Sequence, residues 1–220
     1  QILATIPDAL PKEYSKHLSK LQSEAPSMGW LFVKRRMKDE LGDSWQDNFI
    51  DFQKKASKAA SLGQVHRAIL KKNNLVVACK LQYPDMNNAI EADLKQLRLI
   101  MKLYNKIDNT IDTNEIYDEL KERLFEETDY KNELKNIRIY RNIFLNDKSI
   151  HVPQTFNPFS TEKLITMTWL EGVPLSKIYK ANNNIRNKIA SNLFKAWYLP
   201  FYKYGIIHGD PHPGNYTINE

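Results

Sequence analysis

The stretch His208-Gly-Asp-Pro-His-Pro-Gly-Asn215 is the most informative part of this 220-residue sequence. It sets a carboxylate, Asp210, five residues before a carboxamide, Asn215. Two prolines and a glycine stand between them, and proline disfavours helix interiors and central strands because it lacks a backbone N–H. The stretch therefore predicts a rigid loop that holds polar side chains in place without regular backbone pairing.

The spacing of Asp210 and Asn215 is that of a protein-kinase catalytic loop, H-R-D-x-x-x-x-N. In that loop the Asp orients the proton of the phosphoryl acceptor and the Asn holds a magnesium ion. Other interpretations stay open. An extended backbone would place His208, Asp210 and His212 on one face, which suits a transition metal, and a solvated turn fits too. Phosphotransferases of the aminoglycoside and choline kinase type carry a similar stretch, so the loop does not identify the acceptor.

Composition sets broad limits. The chain is long enough for one large domain or two small lobes, and its 42% apolar and 26% charged residues are typical of globular proteins. A net charge of +6 favours anionic partners, whereas no recognition motif predicts nucleic-acid binding. The single cysteine, Cys79, excludes an internal disulfide and predicts a small buried side chain in a reducing compartment. The sequence contains no apolar run of 18 residues, so no membrane span is predicted. No charged-then-apolar leader predicts secretion.

Hydrophobic periodicity predicts an α+β chain. Helices are expected over 12–24, 30–41, 87–107, 113–145 and 184–204, and strands over 62–70, 75–82, 151–156 and 163–169.

The predicted hairpin over 62–82 carries two features of a phosphate site. Val76-Val-Ala-Cys-Lys80 is an apolar strand that ends in a cation, as in the kinase pattern V-A-I-K. The small residues before it occupy the place of a glycine-rich phosphate loop, although alanine cannot take up a positive φ as glycine does. Lysine at a strand end and close packing of alanines are the alternative explanations. The loop residues are Ala59, Ala60, Ser61, Gly63 and Gln64.

The predicted helix over 113–145 carries an acidic cluster that includes Glu127, Asp129 and Glu133. Asp129 and Glu133 lie four residues apart, an arrangement that costs a few tenths of a kcal/mol unless a cation lies opposite. Lys80 is the candidate cation and Glu133 its candidate partner. A solvated acidic helix face is the alternative.

Taken in order, these segments resemble the UbiB family of atypical kinases over essentially the whole chain. The resemblance implies an α+β, protein-kinase-like two-lobed fold with extra N-terminal helices and a truncated C-lobe. It also implies ATP and Mg²⁺ as cofactors and a kinase or ATPase activity that supports ubiquinone (coenzyme Q) biosynthesis. Lipid-soluble quinone precursors or a ubiquinone-synthesis complex, and a peripheral membrane surface, are the implied partners. The implied location is cytoplasmic at the inner membrane, or mitochondrial in a eukaryote.

The resemblance also assigns roles. Lys80 would contact the nucleotide phosphates and pair with Glu133, and Asp210 would be the catalytic acid. Asn215, Glu127 and Asp129 would face magnesium. The adenine hinge would be the backbone of Thr168, Trp169, Leu170 and Glu171.

Three segments are expected: an N-terminal helical extension over 1–55, a kinase-like N-lobe over 56–170, and the start of a C-lobe over 171–220. Lys58 departs from the family by standing where another alanine is common. The chain is expected to be a fragment, with the K-x-G-Q lysine before Gln1 and the D-F-G metal ligand after Glu220, and therefore inactive by itself. A small-molecule phosphotransferase and a non-enzymatic, nucleotide- or lipid-responsive scaffold remain the rival functions.

Overall fold

The computed structural model describes residues 27–60, 62–105, 113–209 and 213–219. The predicted helix over 12–24, and the predicted site residues Ser61 and Asp210, lie outside the described residues. The chain forms two compact units, which we describe separately. The first runs up to Glu133 and includes Phe156–Thr166, and the second comprises Leu134–Thr155 and Met167–Glu220. The predicted boundaries at residues 55 and 170 stay predictions.

Five α-helices lie within the described residues. They are α1 (Trp30–Leu41), α2 (Met86–Tyr104), α3 (Thr113–Glu126), α4 (Tyr130–Ile143) and α5 (Asn183–Tyr204). The predicted helix over 30–41 is confirmed. It ends at Gly42, whose φ of 86° is a conformation that glycine adopts at low cost and whose N–H donates to the carbonyl of Lys38.

The prediction of one continuous helix over 113–145 is wrong, because the helix is interrupted between α3 and α4. The Thr128 hydroxyl donates to the carbonyl of Phe125, and the Asp129 carboxylate accepts from the N–H of Asn132. Short polar side chains compete in this way with helical backbone pairing and favour helix starts. Asp129 therefore caps α4 instead of lying beside Glu133 within one helix.

The first unit is built on a sheet in which the β1–β3, β2–β3 and β3–β4 pairs are antiparallel. Its strands are β1 (Phe49–Phe52), β2 (Lys58–Ala60), β3 (Gly63–Leu70), β4 (Val76–Gln82) and β5 (Leu164–Thr168), in the order β1-β3-β4-β5 with β2 also paired to β3. The predicted hairpin is the pair β3–β4, in the register Val65 opposite Lys80. Side chains of α1 and of the inward face of the sheet form the core, which includes Val33, Met37, Ala68, Leu70, Val77, Cys79, Leu81 and Leu164.

The predicted strand over 151–156 is wrong. Only a single bridge joins Thr155 to Met167, and a few backbone bonds flank it. Pro153 has no N–H to donate, so a regular ladder cannot extend through this segment.

In the second unit, α5 delivers the chain to the stretch around 208–215. The Asn182 side chain caps its start by accepting from the N–H of Ile185, and Gly205 ends it in the left-handed conformation. Strands β6 (Val173–Pro174) and β7 (Thr217–Ile218) then pair.

None of the helices within the described residues combines the length and the apolar character needed to cross a bilayer.

Candidate functional site

Lys80 and Glu133 form the central ion pair of the first unit. Lys80 lies on β4 with its Nζ 2.7 Å from each carboxylate oxygen of Glu133, which lies in the first turn of α4. The two side chains are 22% and 33% exposed, so the pair is largely buried but still partly accessible to solvent. Charge-assisted bonds of this length orient an ammonium group firmly. The structure thus brings these two predicted residues together, while their catalytic role stays a prediction.

Tyr130 supports this ion pair and was not singled out from the sequence. Its ring is buried, with the Nζ of Lys80 4.8 Å from the ring centroid, within the range of a cation–π interaction. Burial is the main cause of a raised pKa for its hydroxyl, and the Glu133 carboxylate adds to it. The available signal was the position of Tyr130, three residues before Glu133 and therefore on the same side of α4.

The small-residue loop, whose described residues are Ala59, Ala60, Gly63 and Gln64, approaches Tyr130 at Gly63. Ala59 is exposed in β2, and Gly63 begins β3. A Cβ on Gly63 would lie 2.3 Å from the carbonyl oxygen of Leu81 and 3.1 Å from the Tyr130 hydroxyl, so only glycine fits without a shift of the backbone. The loop base is also fixed by a bond from the N–H of Tyr83 to the carbonyl of Leu62. Ala60 pairs with Gly63 across the turn.

The side chain of Gln64, by contrast, turns inward and is fully buried. Its Oε1 accepts from the N–H of Met28 at 2.7 Å, and its Nε2 donates to the carbonyl of Met28 at 3.1 Å. Nε2 also lies 2.9 Å from Nε2 of His66. The Gln64 side chain is therefore fully engaged within the protein, while the predicted place of Gln64 in a cofactor-binding loop stays a prediction.

The predicted magnesium ligands Glu127 and Asp129 are both exposed at the break between α3 and α4. One Asp129 oxygen caps α4, and Gln82 of β4 donates to the neighbouring carbonyl of Thr128 at 2.9 Å. Within the described residues, no group of three or more His, Cys, Asp or Glu could hold a metal ion. Because Mg²⁺ is often held by one or two carboxylates together with substrate phosphates, this donor set fits a metal that arrives with a nucleotide.

The predicted hinge follows β5. The N–H of Thr168 donates to the carbonyl of Gln154, and its hydroxyl accepts from the N–H of Gln154, so these groups are engaged within the second unit. Trp169 is half-buried, whereas Leu170 and Glu171 are exposed in irregular backbone. Their role in binding adenine stays a prediction.

The second unit holds the remaining predicted residues. Asn215 lies exposed in a 3₁₀ turn over Pro213–Asn215. Next to it, the Tyr216 hydroxyl accepts from Nε1 of Trp197 at 2.7 Å and lies 3.2 Å from Nε2 of His208. The ring of His208 packs edge-on against Tyr140, with centroids 5.6 Å apart. Contacts with Trp197 of α5 and Tyr140 of α4 therefore position Tyr216 and His208, which lie on either side of Asp210 in the sequence.

Cys79 behaves as its sequence environment predicts. It is fully buried, and burial raises the pKa of its thiol to about 12, which excludes a reactive thiolate at neutral pH.

Residues 20–220 match the ABC1 atypical kinase-like domain. The chain belongs to this family. This chain is 35% identical over 223 residues to Protein ACTIVITY OF BC1 COMPLEX KINASE 7, chloroplastic, of Arabidopsis thaliana, with 100% of this chain and 32% of that protein covered. It is 30% identical over 210 residues to Atypical kinase COQ8, mitochondrial, of Saccharomyces cerevisiae, with 96% of this chain and 42% of that protein covered.

A solved chain supports the same assignment. The structure of Rv3197 in complex with erythromycin, from Mycobacterium tuberculosis, matches with a TM-score of 0.76 at 32% identity, covering 99% of this chain and 54% of that one. The predicted UbiB-type family and the α+β, kinase-like fold are thereby confirmed. The chain spans 32% and 42% of the length of these two curated relatives.

Proposed function

We propose that this chain forms the nucleotide-binding part of a UbiB-type atypical kinase or ATPase that uses Mg²⁺ and ATP and supports ubiquinone biosynthesis. The observation that carries the proposal is the partly open ion pair of Lys80 and Glu133 beside the small-residue loop. An oriented ammonium that stays partly exposed is suited to phosphate oxygens, and kinases use a strand lysine for this purpose. Membership of an atypical kinase family supports the same chemistry.

In this proposal each residue has a limited role. Lys80 binds the nucleotide phosphates, Glu133 fixes the direction of the ammonium group, and the Tyr130 ring supports it from behind. Glu127, Asp129 and Asn215 are the candidate ligands of Mg²⁺, which would neutralise charge on the phosphate oxygens when it is bound. Asp210 would orient the proton of the acceptor. The acceptor would be a lipid-soluble intermediate met at a membrane surface.

Magnesium-dependent ATP binding by the full-length protein tests the nucleotide site. Lys80→Ala should weaken binding by about tenfold or more, because a charged contact to phosphate is lost. Lys38→Ala is the matched control, since Lys38 is also ion-paired on the first unit, to Asp43 at 2.6 Å, and is exposed. Equal affinity of the wild type and Lys80→Ala would exclude the proposed site.

A second measurement tests the biological role. Asp210→Asn in a ubiquinone-producing cell that depends on this protein should lower ubiquinone and raise its lipid-soluble precursors. Normal ubiquinone, with ATP hydrolysis also unchanged in the purified variant, would contradict the proposed role.

A further inference from the structure

Two polar side chains occupy core positions of β3. Gln64, His66, Ala68 and Leu70 alternate along the strand and are all buried, so they share its inward face. Ala68 and Leu70 belong to the apolar core, whereas Gln64 and His66 continue the same face towards the small-residue loop. Burying a polar group costs free energy unless its hydrogen bonds are replaced, so a polar pair at such positions calls for an explanation.

Gln64 and His66 are both fully hydrogen-bonded, and only one assignment of donors and acceptors fits their partners. Both backbone groups of Met28 engage the Gln64 carboxamide, which fixes its orientation. Because Nε2 of Gln64 is a donor, Nε2 of His66 must accept from it, at 2.9 Å. Nδ1 of His66 therefore carries the proton and donates to the carbonyl of Gln53 at 2.8 Å. The His66 ring also stacks on Phe52, with centroids 5.4 Å apart.

This network connects two segments that are distant in sequence. Met28 lies just before α1, and its bonds to Gln64 span 36 residues. Gln64 follows Gly63 directly and lies opposite Ala59 across the β2–β3 pair. A displacement of the chain at Met28 must therefore move Gln64 or break two hydrogen bonds. A movement of Gln64 would in turn displace Gly63, its neighbour in the chain, and Ala59, its partner on β2.

We propose that Gln64, held by His66, is a positioning residue that couples the segment at Met28 to the conformation of β2 and of Gly63 at the start of β3. The carboxamide acts on the loop from behind and does not touch the nucleotide. The consequence for nucleotide affinity rests on the proposed function, but the coupling itself does not. Because coupling between two sites is reciprocal, a change at Met28 should loosen the loop as a change at Gln64 does.

Amide hydrogen exchange of the full-length protein without nucleotide tests the coupling. Gln64→Leu should speed exchange at Met28 by about tenfold and at Lys58–Ala60 and Gly63 by about fivefold or more, relative to the amides of β4. Met28→Pro removes the N–H that Gln64 accepts without altering the loop, and should give the same pattern at the loop. It also keeps the test available if Gln64→Leu fails to fold.

Val33→Ala is the matched control. Val33 is fully buried on α1, five residues from Met28, so the variant loses stability while keeping the bonds to Gln64. It should speed exchange of the loop and β4 together, which leaves their ratio unchanged. Loop exchange in Gln64→Leu and Met28→Pro that merely follows β4, as in Val33→Ala, would overturn the inference.

Nucleotide binding separates this inference from the proposed function. If the wild type binds ATP with Mg²⁺, Gln64→Leu should raise the Kd about fivefold or more while Val33→Ala leaves it within twofold. Failure of the wild type to bind ATP would remove the proposed function, yet selective loop exchange in both variants would still establish the coupling. An unchanged Kd in Gln64→Leu, together with unchanged relative loop exchange, would contradict the inference alone.

Discussion

The two histidines beside the predicted loops differ in how completely they are bonded. His66, behind the small-residue loop, uses both ring nitrogens, and its partners fix one tautomer. His208, at the start of the other loop, has Nε2 3.2 Å from the Tyr216 hydroxyl, while its buried Nδ1 has no hydrogen-bond partner among the described residues. Hydrogen bonds therefore fix the tautomer of His66 at the first loop, whereas those at the second loop leave the tautomer of His208 undetermined. We expect substitutions at the first loop to cost more stability.

The largest difference should appear at the glycines of the two loops. Gly63→Ala should lower the free energy of unfolding by about 3 kcal/mol, because its Cβ would collide with the backbone at Leu81. At Gly209, an added Cβ would meet no heavy atom of the described residues within 4 Å beyond its chain neighbours, so Gly209→Ala should change stability by less than about 1 kcal/mol. Urea unfolding of both variants measures this difference, and equal losses would contradict the comparison.

Removing the histidines should give a smaller difference. His66→Leu should cost about 2 kcal/mol, because one amide hydrogen of Gln64 and the carbonyl of Gln53 lose their buried partner. His208→Leu should cost about 1 kcal/mol or less, since it removes one bond from a partly exposed hydroxyl. Thermal and urea unfolding check the order of the two values. A larger loss for His208→Leu would reverse the comparison.

Lowering the pH should gradually weaken the hydrogen-bond network of Gln64 and His66. Burial lowers the pKa of His66, outweighing its hydrogen bond to Gln53, so the folded state binds this proton less readily than the unfolded state. The contribution of His66 is therefore complete above the ordinary histidine pKa, about 6.5, and is lost as the pH falls through the lowered value. The unfolding midpoint should drop less between pH 7.5 and 5.5 in His66→Leu than in the wild type. Parallel drops would exclude His66 as the cause.

The smallest effect is expected at Tyr216. Tyr216→Phe removes the oxygen that accepts from Trp197, but the indole is 37% exposed and water can replace the bond, so the loss should be about 0.5–1 kcal/mol. Tyr202→Phe is the control, because Tyr202 is 77% exposed. Tryptophan fluorescence during unfolding measures both. A loss in Tyr216→Phe as large as that in Gly63→Ala would show that the second loop is fixed as firmly as the first.

The fold was largely predictable because its signals are local. Apolar periodicity placed α1 and the β3–β4 hairpin, and the stretch at 208–215 with the strand lysine identified the family. The errors arose where short polar side chains compete with regular backbone pairing. Thr128 and Asp129 divide the expected helix over 113–145, and Pro153 prevents the expected strand over 151–156.

The sequence by itself determined the kinase-like family and the residue types of the site, because motif order and spacing are properties of the chain. The tertiary structure decided what each side chain touches. It placed Lys80 against Glu133 and Tyr130, and it turned Gln64 away from the loop surface to bind Met28. Such contacts join residues 36 to 53 positions apart. No local pattern encodes them, because they depend on strand register and on the side of the sheet against which α1 packs.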